Sequence, residues 1–141
     1  MAGSSLRPPA LMSVVPTPEW AQHFAEAWIA AWNSQDLERI FSHYRDDFEM
    51  RSPLVVTGGF GAEGVLKGKD AIRPYWGAGI AAKPINFKLI KVFAGVRTVA
   101  ILYRNIGRGK LVIERIELDE QGFGVRAEGI YVDDDGMLGV R

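Results

Sequence analysis

The sequence predicts a single α+β domain with its helices first and a mainly antiparallel sheet after them. Three observations carry that expectation. Bulky apolar residues recur every four positions from Trp20 to Trp32, the spacing of a helix with one buried stripe. After Pro84 the pattern changes to alternation, and the alternating stretches are joined by short connections holding Gly95, Gly107, Gly109 and Gly122. Connections that short force antiparallel pairing, because a parallel return needs a crossover of roughly a dozen residues. At 141 residues the chain is long enough for one core and too short for two large ones.

Residues 1–16 read as a flexible N-terminal tail, with Ser4, Ser5, Pro8, Pro9 and Pro16 and an apolar run from Ala10 to Val15 broken by Ser13. That run is a poor match to the roughly 7 to 15 apolar residues of a secretory leader, so a soluble, cytoplasmic protein is expected. The domain spans 17–133, and 134–141 form a short C-terminal tail. Thr17, Pro18 and Glu19 start the first helix: Thr caps the free amides, Pro is pre-shaped for the first turn, and Glu suits the helix dipole. Trp20, Phe24, Trp28 and Trp32 form its apolar stripe. Asn33, Ser34 and Gln35 break it, and Asp36 caps a second short helix whose Leu37, Ile40, Phe41 and Tyr44 face inward.

Phe48, Met50 and Ser52 alternate with Glu49 and Arg51 as a half-buried strand does, and Pro53 ends it. A glycine-rich loop runs from Val56 to Gly68. The third helix follows from about Lys69 and presents Ile72, Tyr75, Trp76 and Ile80, with Pro74 tolerable only near its first turn. Four strands are expected after it: Asn86–Ala94, Thr98–Asn105, Lys110–Leu118 and Val125–Val132. A sheet with helices on one face curls to cover them and leaves a concave space, which is the natural place to look for function.

Composition narrows that function. The 17 Lys and Arg balance 17 Asp and Glu with no basic cluster, which argues against nucleic-acid binding. The chain has no cysteine, which excludes disulfides, thiol catalysis and thiolate zinc sites. His23 and His43 have no partner at metal-ligand spacing, so no metal is expected. No apolar run approaches the roughly 20 residues of a membrane helix, so no membrane partner is expected either.

Gly59, Gly61 and Gly64 satisfy GxGxxG, yet no helix is expected to open at the motif and the later strands do not alternate with helices. A flexible connection is the reading, with a flap over a pocket mouth as the functional variant. Asp133, Asp134, Asp135 and Gly136 lack the spacing and the distal glutamate of a calcium loop and read as a solvated turn. Asp46, Asp47 and Glu49 are read as solvated charges.

The informative residue is Glu114. On a strand from Lys110 to Leu118 it shares a face with Val112, Ile116 and Leu118, while Ile113, Arg115 and Glu117 share the other. An acid in an apolar row is expensive unless it is hydrogen-bonded, neutral or beside a wet cavity, and such surroundings raise its pKa toward neutrality. It is the candidate acid/base. The bland alternatives are an edge glutamate reaching solvent or a buried acid bonded to a tyrosine. Ser52 points to the same side as Phe48 and Met50, and Tyr103 and Tyr131 lie in inward rows where their hydroxyls need partners. Trp28, Trp32 and Trp76 are expected to line or close a pocket, or to fill it.

Three stretches carry a family resemblance: AEAWIAAWNSQDLERIFSHYRDDFEMRSP from Ala25 to Pro53, GKDAIRPYW from Gly68 to Trp76, and IERIELDEQG from Ile113 to Gly122. They resemble the NTF2-like superfamily, in particular its SnoaL-like branch of polyketide cyclases and ketosteroid isomerases, over about Pro18 to Val132. The resemblance implies a cone-shaped fold, three N-terminal helices in a strongly curved, mainly antiparallel sheet, commonly dimerising through the outer sheet face. In the isomerases a base aspartate precedes the proline after the first strand; here that position is Ser52. Their oxyanion tyrosine on the first helix matches Trp28, and their second oxyanion acid matches Glu114. Related epoxide hydrolases would want an inward arginine where Val112 stands.

With one of three isomerase positions kept, the resemblance implies a looser scheme. A single cavity acid, Glu114, would move protons without a cofactor, in a cyclase or isomerase acting on an apolar or aromatic carbonyl compound. Ser52, Tyr103 and Tyr131 would orient the ligand, and Trp28, Trp32 and Trp76 would wall it in. The alternative is a non-catalytic ligand-binding or homodimeric interaction module.

Overall fold

The protein is described by a computed structural model over residues 8–132. The start of the expected N-terminal tail, the expected tail at 134–141 and the turn Asp133–Gly136 lie outside the described residues.

Helix α1 spans Pro18–Ser34; Thr17 caps it by accepting a hydrogen bond from the Trp20 amide at 3.1 Å, and Gln35 ends it with a left-handed φ of 60°. Its stripe buries Phe24, Trp28, Ile29 and Trp32, while Trp20 is only half-buried. Helix α2, Leu37–Phe41, starts at Asp36, whose carboxylate accepts from the amides of Glu38 and Arg39. Strand β1 runs from Tyr44 to Arg51, longer than alternation predicts. Arg45, Asp46 and Asp47 stand exposed between buried Tyr44 and Phe48, and the register against the neighbouring strand shifts there. Such an irregularity breaks the period-two signal.

Two elements fall where a loop is expected. Helix α3, Pro53–Thr57, begins after Ser52, and strand β2, Val65–Lys67, pairs antiparallel with β1. The described residues therefore form four α-helices rather than three. Helix α4 spans Lys69–Ala82 and holds Pro74 past its first turn, a correction to the expected placement. The remaining strands are β3 (Phe87–Gly95), β4 (Thr98–Asn105), β5 (Lys110–Leu118) and β6 (Gly124–Val132), close to expectation. A short 3-10 turn, Ile106–Arg108, joins β4 to β5.

The six strands form one curved, unclosed sheet in the order β2-β1-β6-β5-β4-β3. All pairs are antiparallel except β1 with β6, which run parallel because β2, α4 and β3–β5 intervene between them. The helices lie on the concave side, over Val99, Ile101 and Tyr103 of β4 and Val112, Ile116 and Leu118 of β5. The other face carries charged pairs, Arg115 to Glu117 at 3.0 Å and Arg126 to Glu117 at 3.7 Å.

The sequence reading leaves residues 1–16 as a flexible tail; from residue 8 onward the structure holds them against the domain. The Trp20 indole donates to the Pro9 carbonyl at 3.1 Å, the Leu11 amide to Glu120, and the Arg97 amide to Val14. Among the described residues no helix is long and apolar enough to cross a membrane.

Candidate functional site

A cavity of about 320 Å³ lies between the helices and the concave face of the sheet, with α1, α3, α4 and strands β1 and β3–β6 all contributing to its wall. Glu114 lines it and is 4% exposed. Alternation on β5 puts this side chain inward, and the sheet register makes room for it. Its cross-strand neighbour on β6 is Gly129, where an added Cβ would stand 3.5 Å from the Glu114 Oε1 and 3.2 Å from the Tyr131 ring. Glycine lets the carboxyl and the phenol occupy the same corner.

Burial pushes the Glu114 carboxyl from the ordinary 4.5 up to about 8, with the Glu128 carboxylate adding a smaller push. The cause is desolvation, which penalises the anion; at neutral pH the group is a protonated acid and a hydrogen-bond donor. Phenols surround it. Tyr103 is buried and lines the cavity, its ring 4.5 Å from Phe87 and 5.3 Å from Trp28. Burial first, and the Glu114 charge second, hold its hydroxyl well above the usual phenol range. Half-buried Tyr131 lines the same space and is shifted upward for the same two reasons.

Trp28, Trp32 and Trp76 line the cavity together. The Trp28 indole donates to the Tyr44 hydroxyl at 2.9 Å, fixing α1 against β1 in the buried interior. The Trp32 Nε1 has no conventional acceptor among the described residues and sits among rings, 5.0 Å from Trp76 and 5.6 Å from Phe87 between centroids. Aromatic faces are weak acceptors for such a donor.

Ser52 is placed differently from expectation. Strand β1 ends at Arg51, and Ser52 caps α3, its hydroxyl accepting from the Leu54 amide at 3.1 Å. It is buried, and it lies beside the hydroxyls of Tyr75 and Tyr131, partly offsetting their upward shifts. It is not among the residues that line the cavity, although both phenols beside it are.

Several lining residues escape the sequence reading: Tyr75 on α4, Phe60 and Gly58 on the glycine-rich loop, Asn105 at the end of β4, and Arg108 on the 3-10 turn. Tyr75 had a signal, since it neighbours Trp76 on the expected apolar face of its helix. Arg108 had none, being one exposed cation between two glycines. The loop carries left-handed φ values at Gly59 and Gly64 and places Phe60 with its ring 5.3 Å from Tyr75, so the GxGxxG stretch borders the cavity without opening a helix.

His43 is buried against Phe24, at 5.5 Å between ring centroids, and burial lowers its pKa; it does not line the cavity. Among the described residues no three His, Asp or Glu side chains gather as a metal would need.

Residues 25–137 match the family of SnoaL-like domains. Among solved structures, a SnoaL-like protein of unknown function from Burkholderia thailandensis E264 is 37% identical. The match covers 83% of this chain and 98% of that one with a TM-score of 0.79. AclR, described as a putative hydroxylase from Streptomyces galilaeus, is 15% identical over 82% of this chain and 91% of its own, with a TM-score of 0.61. SalBIII, described as an epoxide hydrolase/cyclase-like enzyme of pyran ring formation in salinomycin, is 14% identical over 83% and 94%, with a TM-score of 0.63. Likeness at that level concerns the fold. No curated protein gives a significant match.

Proposed function

The chain belongs to the family of SnoaL-like domains, and from that premise and the cavity described above we propose that it binds an apolar or aromatic carbonyl compound and moves a proton on it through Glu114. The observation that carries this reading is a carboxyl held neutral at physiological pH on the wall of an aromatic cavity. A protonated acid delivers its proton as negative charge develops on a carbonyl oxygen, and a carboxylate with so high a pKa takes one back readily. In an aldol-type ring closure an enol carbon of the ligand attacks its own carbonyl carbon. Glu114 protonates the oxygen that becomes a hydroxyl, and the carboxylate recovers its proton from the enol O–H, which becomes the new carbonyl. The balance closes within the ligand and one side chain. Tyr103 and Tyr131 donate to ligand oxygens, and Trp28, Trp32 and Trp76 hold the flat apolar body. That a structural neighbour is named for ring formation supports the cyclase form of the reading.

The test uses 2-acetylnaphthalene, a flat aryl ketone with exchangeable protons next to its carbonyl. In D₂O near pH 7 the protein should bind it, seen as quenching of tryptophan fluorescence, and should accelerate exchange of its methyl protons; Glu114→Gln should bind but lose the acceleration. Binding without exchange in either form leaves the non-catalytic ligand-binding alternative, and absence of binding overturns the reading.

A second observation favours self-association as part of this reading. On the outer sheet face Leu102, Ile113 and Ile130 stand in cross-strand register, an apolar row over three strands, with Ile130 43% exposed. We propose that a second copy covers it.

A further inference from the structure

Among the described residues the cavity wall holds one carboxyl, that of Glu114, and one guanidinium, that of Arg108. Arg108 is exposed, at the outer end of the space, on a turn that is fixed from three sides. The Asn105 side chain accepts from the Arg108 amide at 3.3 Å, the Lys83 ammonium donates to the Gly107 carbonyl at 3.2 Å, and the guanidinium itself reaches the Gly79 carbonyl on α4 at 3.5 Å. That last contact is long and occupies one donor of five. Arg45, Arg51, Arg73, Arg97, Arg115 and Arg126 each sit within salt-bridge distance of a carboxylate, whereas no carboxylate among the described residues lies that close to Arg108. Its charge is felt inside, where it eases the ionisation of the Tyr75 and Tyr131 phenols.

Resting on the function proposed above, we infer that the ligand is an anion: a flat, apolar carbonyl compound that carries a carboxylate or a similar oxyanion. The anion lies against Arg108 at the mouth, and the carbonyl lies toward Glu114. With the inner acid neutral, the cavity presents a net positive charge to an entering molecule. A planar guanidinium fork with free donors matches the two oxygens of a carboxylate. At an exposed mouth the pair is partly screened, so it fixes orientation and selects anions more than it adds affinity.

The experiment compares 2-naphthoate with 2-acetylnaphthalene, two probes of similar shape that differ in charge, by tryptophan quenching near pH 7. The wild type should bind naphthoate more tightly. Arg108→Gln should weaken naphthoate about five- to tenfold more than the ketone, as expected for a part-screened charged hydrogen bond. Arg108→Lys should fall between, keeping the charge and losing the fork. An unchanged ratio of the two affinities in Arg108→Gln overturns the anion assignment while leaving the carbonyl-binding function standing. If neither probe binds the wild type, the cavity reading falls and this inference with it.

Discussion

Glu114 weakens the fold at neutral pH in the course of preparing a site. The folded protein raises its carboxyl from 4.5 to about 8, so the folded state holds a proton that the unfolded chain releases. The sign follows from linkage: between those two values the folded state binds more protons, and stability falls as pH rises. The contribution is fully present below about 4.5, declines by about 1.4 kcal/mol per pH unit above it, and is lost once pH passes the folded value near 8. Glu114→Gln keeps the volume and removes the titration. It is therefore expected to be more stable than the wild type by about 3 kcal/mol at pH 7, roughly 6 to 12 °C in melting temperature, with the gap closing toward pH 4.5. Thermal melts of both proteins from pH 4.5 to 9 check this; a gap independent of pH would mean that the carboxyl titrates normally and would remove it as the acid. Glu114 was legible in the sequence because its neighbours on β5 alternate without interruption. Arg108 was not, because the sheet and α4 bring it to the cavity from a turn whose local sequence says nothing about what it faces.

Elements that bury a whole face were readable, and elements that depend on a partner elsewhere were not. Helix α1 and strands β4 and β5 each repeat their apolar period several times, which outweighs local irregularity. Strand β2 has three residues and exists because β1 offers it an edge at Glu49, Met50 and Arg51. Helix α3 has five and depends on its cap. That dependence reassigns Ser52, which alternation alone had extended onto the β1 face. Ser52→Ala removes the acceptor for the Leu54 amide at the start of α3, and the expected cost is about 1 kcal/mol. Affinity for 2-acetylnaphthalene should change by less than about twofold, since binding energy follows direct contacts and Ser52 is not among the residues that line the cavity. Chemical denaturation measures the first quantity and fluorescence titration the second. Unchanged stability together with a large loss of binding would return Ser52 to the ligand-contact role that the sequence suggested.

At the scale of the whole molecule, the parallel pairing of β1 with β6 joins the helical first part of the chain to the meander, and it sets Met50 of β1 and Tyr131 of β6 on the wall of one cavity. The sheet's curvature gives its two faces different tasks. The concave face encloses the acid. The convex face carries the Leu102–Ile113–Ile130 row, beside a second row in which Ala100, Arg115 and Glu128 stand opposite one another. Apolar side chains flanked by alternating charges suit a self-complementary contact, because a two-fold partner offers the same row and both signs of charge. Ile130→Lys places a like charge on each copy at the centre of that contact while leaving the concave side untouched. Sedimentation should show a dimer for the wild type and a monomer for Ile130→Lys, with bound 2-acetylnaphthalene unaffected because Ile130 points away from the cavity. A wild type that sediments as a monomer at tens of micromolar would overturn the dimer. A variant that loses dimer and ligand together would mean that the curvature of the sheet, and so the shape of the site, is set by the partner.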